Sequence, residues 1–416
     1  MPSLRPGSRN SMAKKPASLT FTRTIAAPAA HVYKAFTSGP GFREWLTKGA
    51  EAGNEHLNYL FLVWEDGFTA SGRFDVLKEN ASVRFTWRGQ KDPHESLVTV
   101  SLEEQDGQTQ LTLEHGGLGE GGEWDAIRAD VQDRWEKGLD NLKEILETGF
   151  DRRVYRRPMM GILIGQFITP EIADKRNLPI RYGHQIAGVL PDMGAADAGM
   201  LKDDIILTLD GIPIKDMDSI ADAVKGRTAG DMLDVEYFRG EKVQTAKFKL
   251  SSRAKPTIPP TAQALADTVN GLYQSASAKL QEVLEGVADE QAEHRPAPME
   301  WNTKEVLAHL ILSDRDMLNW ATSVVHGKEM GHDTSQIHSR LKGLVLRFPE
   351  APRLVEQLGY VQDETVAFLA DLPAEFVERR GSYTRVAAGY VEEIPYHYKD
   401  HIGQIEKNLA AARALN

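Results

Sequence analysis

Between residues 253 and 260 the chain reads Arg253-Ala-Lys-Pro-Thr-Ile-Pro-Pro260, with three prolines in five positions. Proline fixes φ, lacks an N–H and pushes the residue before it out of the helical region. Such a segment is neither helix nor interior strand, only an extended connector. A second break is Asp151-Arg-Arg-Val-Tyr-Arg-Arg-Pro158, a basic run that follows a long helical pattern. The two breaks predict three pieces, 18–150, 157–252 and 261–416, and no repeat links them. Length agrees: 416 residues at a prior of about 150 per domain suggest about three, and single cores stop growing near 250–300 residues.

Composition narrows the classes. The chain is 41% hydrophobic and 26% charged, which is ordinary globular usage. Its formal net charge of −11 makes it a poor partner for nucleic acid or an anionic membrane, because neutralising phosphate needs basic surface. It contains no cysteine, so disulfides, thiolate nucleophiles and iron–sulfur clusters are excluded, and any metal must sit on His, Asp or Glu. Residues 1–17 carry Arg5, Arg9, Lys14 and Lys15 without a following apolar core, and nowhere do 18 apolar residues run together. These features predict a cytoplasmic protein with a flexible lead, in which Met12 is an alternative start, and neither nucleic acid nor membrane as partner.

In the first piece, Leu19, Phe21 and Ile25 alternate as in a half-buried strand, and Pro28 opens a short helix with Val32 and Phe36 inward. Val83, Phe85 and Trp87 share a strand face, and Asp106-Gly107 predicts a hairpin between Val98–Leu102 and Leu111–Leu113. A long helix follows, with Trp124, Ile127, Val131, Trp135, Leu139, Leu142 and Leu146 at helical spacing and Gly149 just past its end. An antiparallel sheet wrapped on a C-terminal helix is a helix-grip architecture. On Ala27-Pro-Ala-Ala-His-Val-Tyr-Lys-Ala-Phe-Thr37, Glu44-Trp-Leu46 and residues 134–149, the piece resembles the SRPBCC (START-like) superfamily, in particular homologues of the heat-shock ATPase activator. The resemblance implies a hydrophobic small-molecule ligand or a chaperone client, in a cavity lined by Trp45, Phe61, Phe85, Trp87 and Trp124, with Trp64 and Phe74 nearby. The competing reading makes these aromatics plain core. Glu114 and His115 read as solvated residues at a strand end, with polar groups of the cavity as the alternative.

The second piece alternates short strands with small-residue loops. A strand or two spans Met160 to Ile168, an Asp-Gly turn falls at Asp210-Gly211, a helix runs from about Met217 with Ile220, Ala221 and Val224 on one face, and a last hairpin turns around Arg239-Gly240. On Gly194-Ala-Ala-Asp-Ala-Gly-Met-Leu-Lys-Asp-Asp-Ile-Ile-Leu-Thr-Leu-Asp-Gly-Ile-Pro213 the piece resembles a PDZ domain of the bacterial, circularly permuted arrangement; Lys202 departs from the usual glycine. The resemblance implies capture of a protein C-terminus or extended peptide, the alternative being the chain's own tail or a neighbouring domain. The peptide adds as a strand along Ile162 to Phe167, with its carboxylate on the Met159-Met160-Gly161-Ile162 loop and Ile220, Ala221 and Val224 as the pocket wall.

The third piece is wholly helical. Leu265, Val269, Leu272 and Leu280 mark one helix. Asn302-Thr-Lys-Glu305 is a capping box for a second, and 351–369 and 394–409 supply two more. Four such helices predict an all-α four-helix bundle, so the whole chain is expected to be multidomain α+β. His397 and His401 lie four apart on the stripe that holds Ile394 and Ile405, and His309 lies on the inner stripe of the second helix. Three inward imidazoles are expensive unless satisfied, and a divalent metal satisfies them together while leaving one position open. On Met299-Glu-Trp-Asn-Thr-Lys-Glu-Val-Leu-Ala-His-Leu310 and Pro395-Tyr-His-Tyr-Lys-Asp-His-Ile-Gly-Gln-Ile405 the piece resembles the DinB superfamily. That implies zinc or nickel on His309, His397 and His401, and allows a homodimer through the bundle. Asp400, Glu305 and Asp316 are candidate outer partners for the imidazoles. His326, His332 and His338 read as surface residues.

Two functions compete at this point. One is a stress-related binding or adaptor protein combining a client or ligand domain, a peptide-binding domain and a metal-holding bundle. The other is a metal-dependent transferase or hydrolase in which the metal activates a low-molecular-weight thiol or water; Tyr396, Tyr398 and Arg385 are then near the reaction, and no catalytic residue is singled out. An open metal position beside a polar-walled cavity separates the two.

Overall fold

The computed structural model describes residues 17–53, 58–327 and 336–414. The predicted flexible lead with Met12 lies outside these residues, and so does His332. The chain divides into two compact units, one formed by residues up to Gly149 together with those from Pro256 onward, the other by Phe150–Lys255.

In the first unit the helix-grip part runs β1 (Ala17–Ile25), α1 (Ala29–Ala35), α2 (Gly39–Trp45), β2 (Gly49–Ala52), β3 (Tyr59–Val63), β4 (Thr69–Lys78), β5 (Ser82–Gly89), β6 (Ser96–Gln105), β7 (Gln108–Leu118) and α3 (Glu123–Thr148). The seven strands form one antiparallel sheet in the order β1-β7-β6-β5-β4-β3-β2. The hairpin expected at Asp106-Gly107 joins β6 to β7; both residues have positive φ, as a two-residue turn matched to strand twist requires. Helix α3 lays Val131, Trp135, Leu139, Leu142 and Ile145 on the sheet and stops at Gly149 in the left-handed conformation.

The other unit contains α4 (Arg152–Tyr155), β8 (Ile162–Leu163), β9 (Gln166–Ile168), α5 (Pro170–Lys175), β10 (Gly183–Gln185), β11 (Gly188–Val189), α6 (Gly194–Asp197), β12 (Ile205–Leu209), β13 (Ile212–Pro213), α7 (Met217–Val224), β14 (Met232–Arg239) and β15 (Lys242–Lys249). One sheet has the order β15-β14-β12-β10-β9 with β13 on β12, and β8 pairs with β11 alone. Helix α7 starts with a capping box between Asp216 and Ser219. The buried Asp204 carboxylate accepts a two-pronged contact from Arg239 (2.6 Å at each oxygen) and a third bond from Leu201 N–H.

The helical part of the first unit comprises α8 (Ala262–Leu284), α9 (Asp289–Glu293), α10 (Thr303–Val325), α11 (Ile337–Arg347), α12 (Ala351–Ala370), α13 (Ala374–Glu378) and α14 (Arg380–Arg413). Around the bundle, α8, α12, α10 and α14 follow one another, each packed on its neighbours. The Asn302 cap forms as read, its carboxamide accepting from Glu305 N–H while the Glu305 carboxylate accepts from Asn302 N–H. The last helix differs from expectation: it begins fourteen residues before Ile394 and carries Pro395 inside it. Proline is favoured in a first turn and disfavoured in a helix interior. Here Tyr383, Val386, Tyr390, Ile394 and Tyr398 are all buried, and this apolar stripe carries the helix through the proline.

The helix-grip and helical parts meet within one unit. The Arg380 guanidinium donates to the Glu147 carbonyl, and the Ser382 hydroxyl donates to the Glu44 carboxylate. A Cβ on Gly149 would collide with Thr384.

Candidate metal centre

Helix α10 supplies His309 and helix α14 supplies His397 and His401, one turn apart. One ligand nitrogen from each falls within 4.8 Å of the others. His309 Nε2 and His397 Nε2 are 3.1 Å apart, and the ring centroids of His397 and His401 are 4.5 Å apart. Trp301, at the start of α10, covers the rings, 4.8 Å from His309 and 6.5 Å from His401.

The donor set fits a divalent metal. A tetrahedral ion with nitrogen bonds of about 2.0–2.1 Å holds its ligand nitrogens about 3.3 Å apart, close to the His309–His397 separation. Burial, with the neighbouring imidazoles second, pushes the pKa of both His309 and His397 down to about 4. They are therefore neutral at ordinary pH, the form that binds metal. His401 Nδ1 faces Gln404 Oε1 at 3.0 Å; with Nδ1–H as the donor, its Nε2 lone pair is left for a ligand. His309 Nδ1 is buried with no hydrogen-bond partner among the described residues.

Beside the triad lies a cleft of about 260 Å³ walled by Asp314, Asp316, Met317, Trp320, Glu393 and His397. Behind it runs a buried polar chain. Ser277 donates to Gln362 (3.0 Å), Gln362 donates to the Tyr398 oxygen (2.8 Å), and the Tyr398 hydroxyl donates to Asp314 (2.5 Å). Burial raises the Asp314 pKa to about 7 and that of Tyr398 well above its ordinary value.

None of the three expected outer carboxylates is seen to bond an imidazole. Glu305 belongs to the helix cap and to Arg295, Asp316 pairs with Arg340, and Asp400 is exposed. The partner found, Gln404, was missed, although its position three residues after His401 on one helix face was a readable signal. Tyr396 is exposed, and Arg385 lies over Trp320 at the cleft wall. His326 and His338 are exposed.

At the expected peptide site, Met160 and Ile220 are buried, and Ile162 and Val224 pack against their cluster. Gly161 has φ +79°, and a Cβ there would meet Met193 at 2.4 Å. The carbonyls of Met160 and Gly161 accept from Ala195 and Leu190, while their N–H groups meet no acceptor among the described residues. One edge of β8 pairs with β11 and the other has no strand partner among these residues. Two expectations need correction. The strand is broken at Gly165, where the chain packs against the Gln185 carbonyl, and the buried wall position on α7 is Ala223, with Ala221 exposed.

The aromatic set of the helix-grip part is packed. Trp45, Phe85 and Trp87 are buried, and Trp135 stands 6.4 Å from Trp45 and 5.3 Å from Trp87. Trp124 lies against His94 at 4.6 Å. Phe61 does not face this interior: alternation along β3 puts Leu60 and Leu62 inside and leaves Phe61 42% exposed. His115 is a correction too. It is wholly buried in β7, its Nδ1 accepting from Trp135 Nε1–H (3.0 Å) and its Nε2–H donating to Ser96 (2.7 Å).

Three family models match the chain: "Activator of Hsp90 ATPase homolog 1-like protein" at residues 26–147, "PDZ domain" at 171–250 and "DinB superfamily" at 272–405. Similar solved structures include a protein from Chromobacterium violaceum (17% identity, 31% of this chain and 95% of that one, TM-score 0.27). The Aha1 dimer from Colwellia psychrerythraea (20%, 32% and 96%, 0.28) and an Hsp90 activator from Plasmodium falciparum (20%, 31% and 95%, 0.27) are also similar. Comparison with the curated proteins finds no match. No helix among the described residues is long and apolar enough to cross a membrane. In chain order, then, this multidomain α+β protein carries a part of the Hsp90-ATPase-activator type, a PDZ domain and a DinB-superfamily domain.

Proposed function

We propose that the chain is a multidomain binding protein whose chemistry resides in the bundle, where His309, His397 and His401 hold one zinc or nickel ion. The convergence of three imidazoles from two helices within 4.8 Å carries this reading. The adjoining cleft favours a reactive centre over a purely structural one, since a small molecule has room beside His397. A bound ion would supply Lewis acidity and lower the pKa of a thiol or water. The chain's own residues shape the rest: Trp320 and Met317 give apolar contact, Glu393 and Asp316 give polar wall, and Trp301 excludes water from the rings. The class of activity proposed is transfer or hydrolysis involving a low-molecular-weight thiol or water.

The other two parts serve recognition in this reading. The unbonded N–H groups of Met160 and Gly161 suit a peptide carboxylate, with Ile220 and Val224 taking its last side chain. With its aromatic interior filled, the helix-grip part is proposed to act through its surface, on a chaperone or client, which would make the protein stress-related.

The test is elemental analysis of the untagged full-length protein beside His397→Ala and His401→Ala. Near-stoichiometric zinc or nickel, lost in both variants, supports the centre. A folded protein that neither holds nor takes up metal overturns it.

A further inference from the structure

A second cleft, of about 200 Å³, opens where α1, α2 and α3 meet the C-terminal end of α10 and the start of α14. Its apolar side comes from Leu142, Ile145 and Leu146. Its charged groups are His31, Lys34, Arg379 and His326, with Glu44 as the one acid among its lining residues. Glu44 accepts the Ser382 hydroxyl, and Arg379 donates to the Val324 carbonyl and to Ser382, each at 3.1 Å. His326 spends Nδ1 on the Thr322 carbonyl (2.8 Å), and its Nε2 meets no partner among the described residues. Lys34 and the His31 ring meet no hydrogen-bond or ion-pair partner among the described residues.

The cations therefore outnumber the acid, even with both histidines neutral. Burial, then Arg379, lowers the Lys34 pKa while Glu44 raises it; burial also lowers that of Arg379, again opposed by Glu44. One carboxylate set against two cations at a part-desolvated cleft leaves a net positive field for an anion to relieve. Volume bounds that counter-ion, since an apolar cavity of about 150 Å³ accepts benzene.

We infer that this cleft binds a small organic anion, its carboxylate or phosphate held by Lys34 and Arg379 and its ring or short alkyl body laid against Leu142, Ile145 and Leu146. The site is separate from the three histidines of the bundle and needs no metal.

The test is calorimetric titration of the full-length protein with benzoate, phenyl phosphate and, as a neutral isostere, benzamide, before and after chelation of divalent metal. Saturable binding of at least one anion is expected, with benzamide about tenfold weaker or absent, and chelation without effect. The stronger of the two anions tells a carboxylate site from a phosphate site. Lys34→Ala, at an exposed side chain, is expected to weaken the anion about tenfold, and Leu146→Trp to abolish binding by filling the apolar end. Circular dichroism on both variants keeps folding separate from binding. Equal binding of benzamide, binding indifferent to both substitutions, binding lost on chelation, or no binding at millimolar anion would each overturn the assignment.

Discussion

His309 Nε2 and His397 Nε2 meet at 3.1 Å although 88 positions separate them in the chain. Helix α10 presents one and helix α14 the other, and His401 completes the cluster one turn on. Loss of a single ligand should be more damaging than loss of its outer partner. We expect His309→Ala to reduce metal affinity at least a hundredfold. Gln404→Leu, which frees the His401 ring to rotate, should reduce it by about 10–100-fold without unfolding the bundle. Competition with a chromogenic chelator reads both.

A pH effect on stability follows from His115. Burial depresses its pKa in the folded state to about 3, against 6.5 unperturbed. Between these values the unfolded chain binds more protons than the folded one, so stability is complete above about pH 6.5 and falls as the pH is lowered. The loss due to this residue is about 2 kcal/mol at pH 5. His309 and His397 contribute with the same sign. The readout is therefore a difference: urea midpoints at pH 7 and pH 5 should converge more in His115→Gln than in the wild type. An unchanged gap would show that His115 is not the buried neutral group described above.

In the PDZ unit, the buried Asp204 carboxylate depends on Arg239. Arg239→Met leaves that carboxylate without its cation, and we expect the unit to lose about 2–3 kcal/mol, discounted for the partial exposure of Arg239. Denaturant melting of the full chain, followed by a probe placed in this unit, measures it.

Gly161→Ala tests the loop next to β8. The residue has φ +79° and its Cβ would strike Met193, so the loop must shift at a cost of about 1–3 kcal/mol. Binding of peptides with a free C-terminus should fall much further than stability. Retention of full peptide affinity would rule out this loop as the carboxylate site.

Pro395→Ala restores the N–H that the Val391 carbonyl lacks in mid-helix. Because Pro395 is exposed, no packing is lost. A rise in stability of about 1 kcal/mol or more is the expected result of a thermal melt.

Much of this was legible in the chain because the signals were local and periodic. The capping box at Asn302, the turn at Asp106-Gly107 and the four-residue spacing of His397 and His401 each state a backbone requirement in adjacent letters. What was not legible depends on tertiary context. The last helix was read only from 394 because the buried stripe that carries α14 through Pro395 is a tertiary feature. His115 read as solvated because its partners, Ser96 and Trp135, lie 19 and 20 positions away. Phe61 read as inward because an unbroken apolar run hides which alternate residues face the core. The carboxylates near the triad were assigned by charge, whereas capping and ion pairing had already claimed Glu305 and Asp316.

Helix α14 has 34 residues, so it is a rod about 50 Å long. Near one end Arg380, Ser382 and Thr384 engage Glu147, Glu44 and Gly149, and beyond its middle sit His397 and His401. The two attachments share one lever. The tilt that seats Ser382 on the helix-grip part also sets the angle at which the imidazoles approach His309. Between them the proline at 395 removes one rung of the hydrogen-bond ladder, and that joint is where the lever yields first.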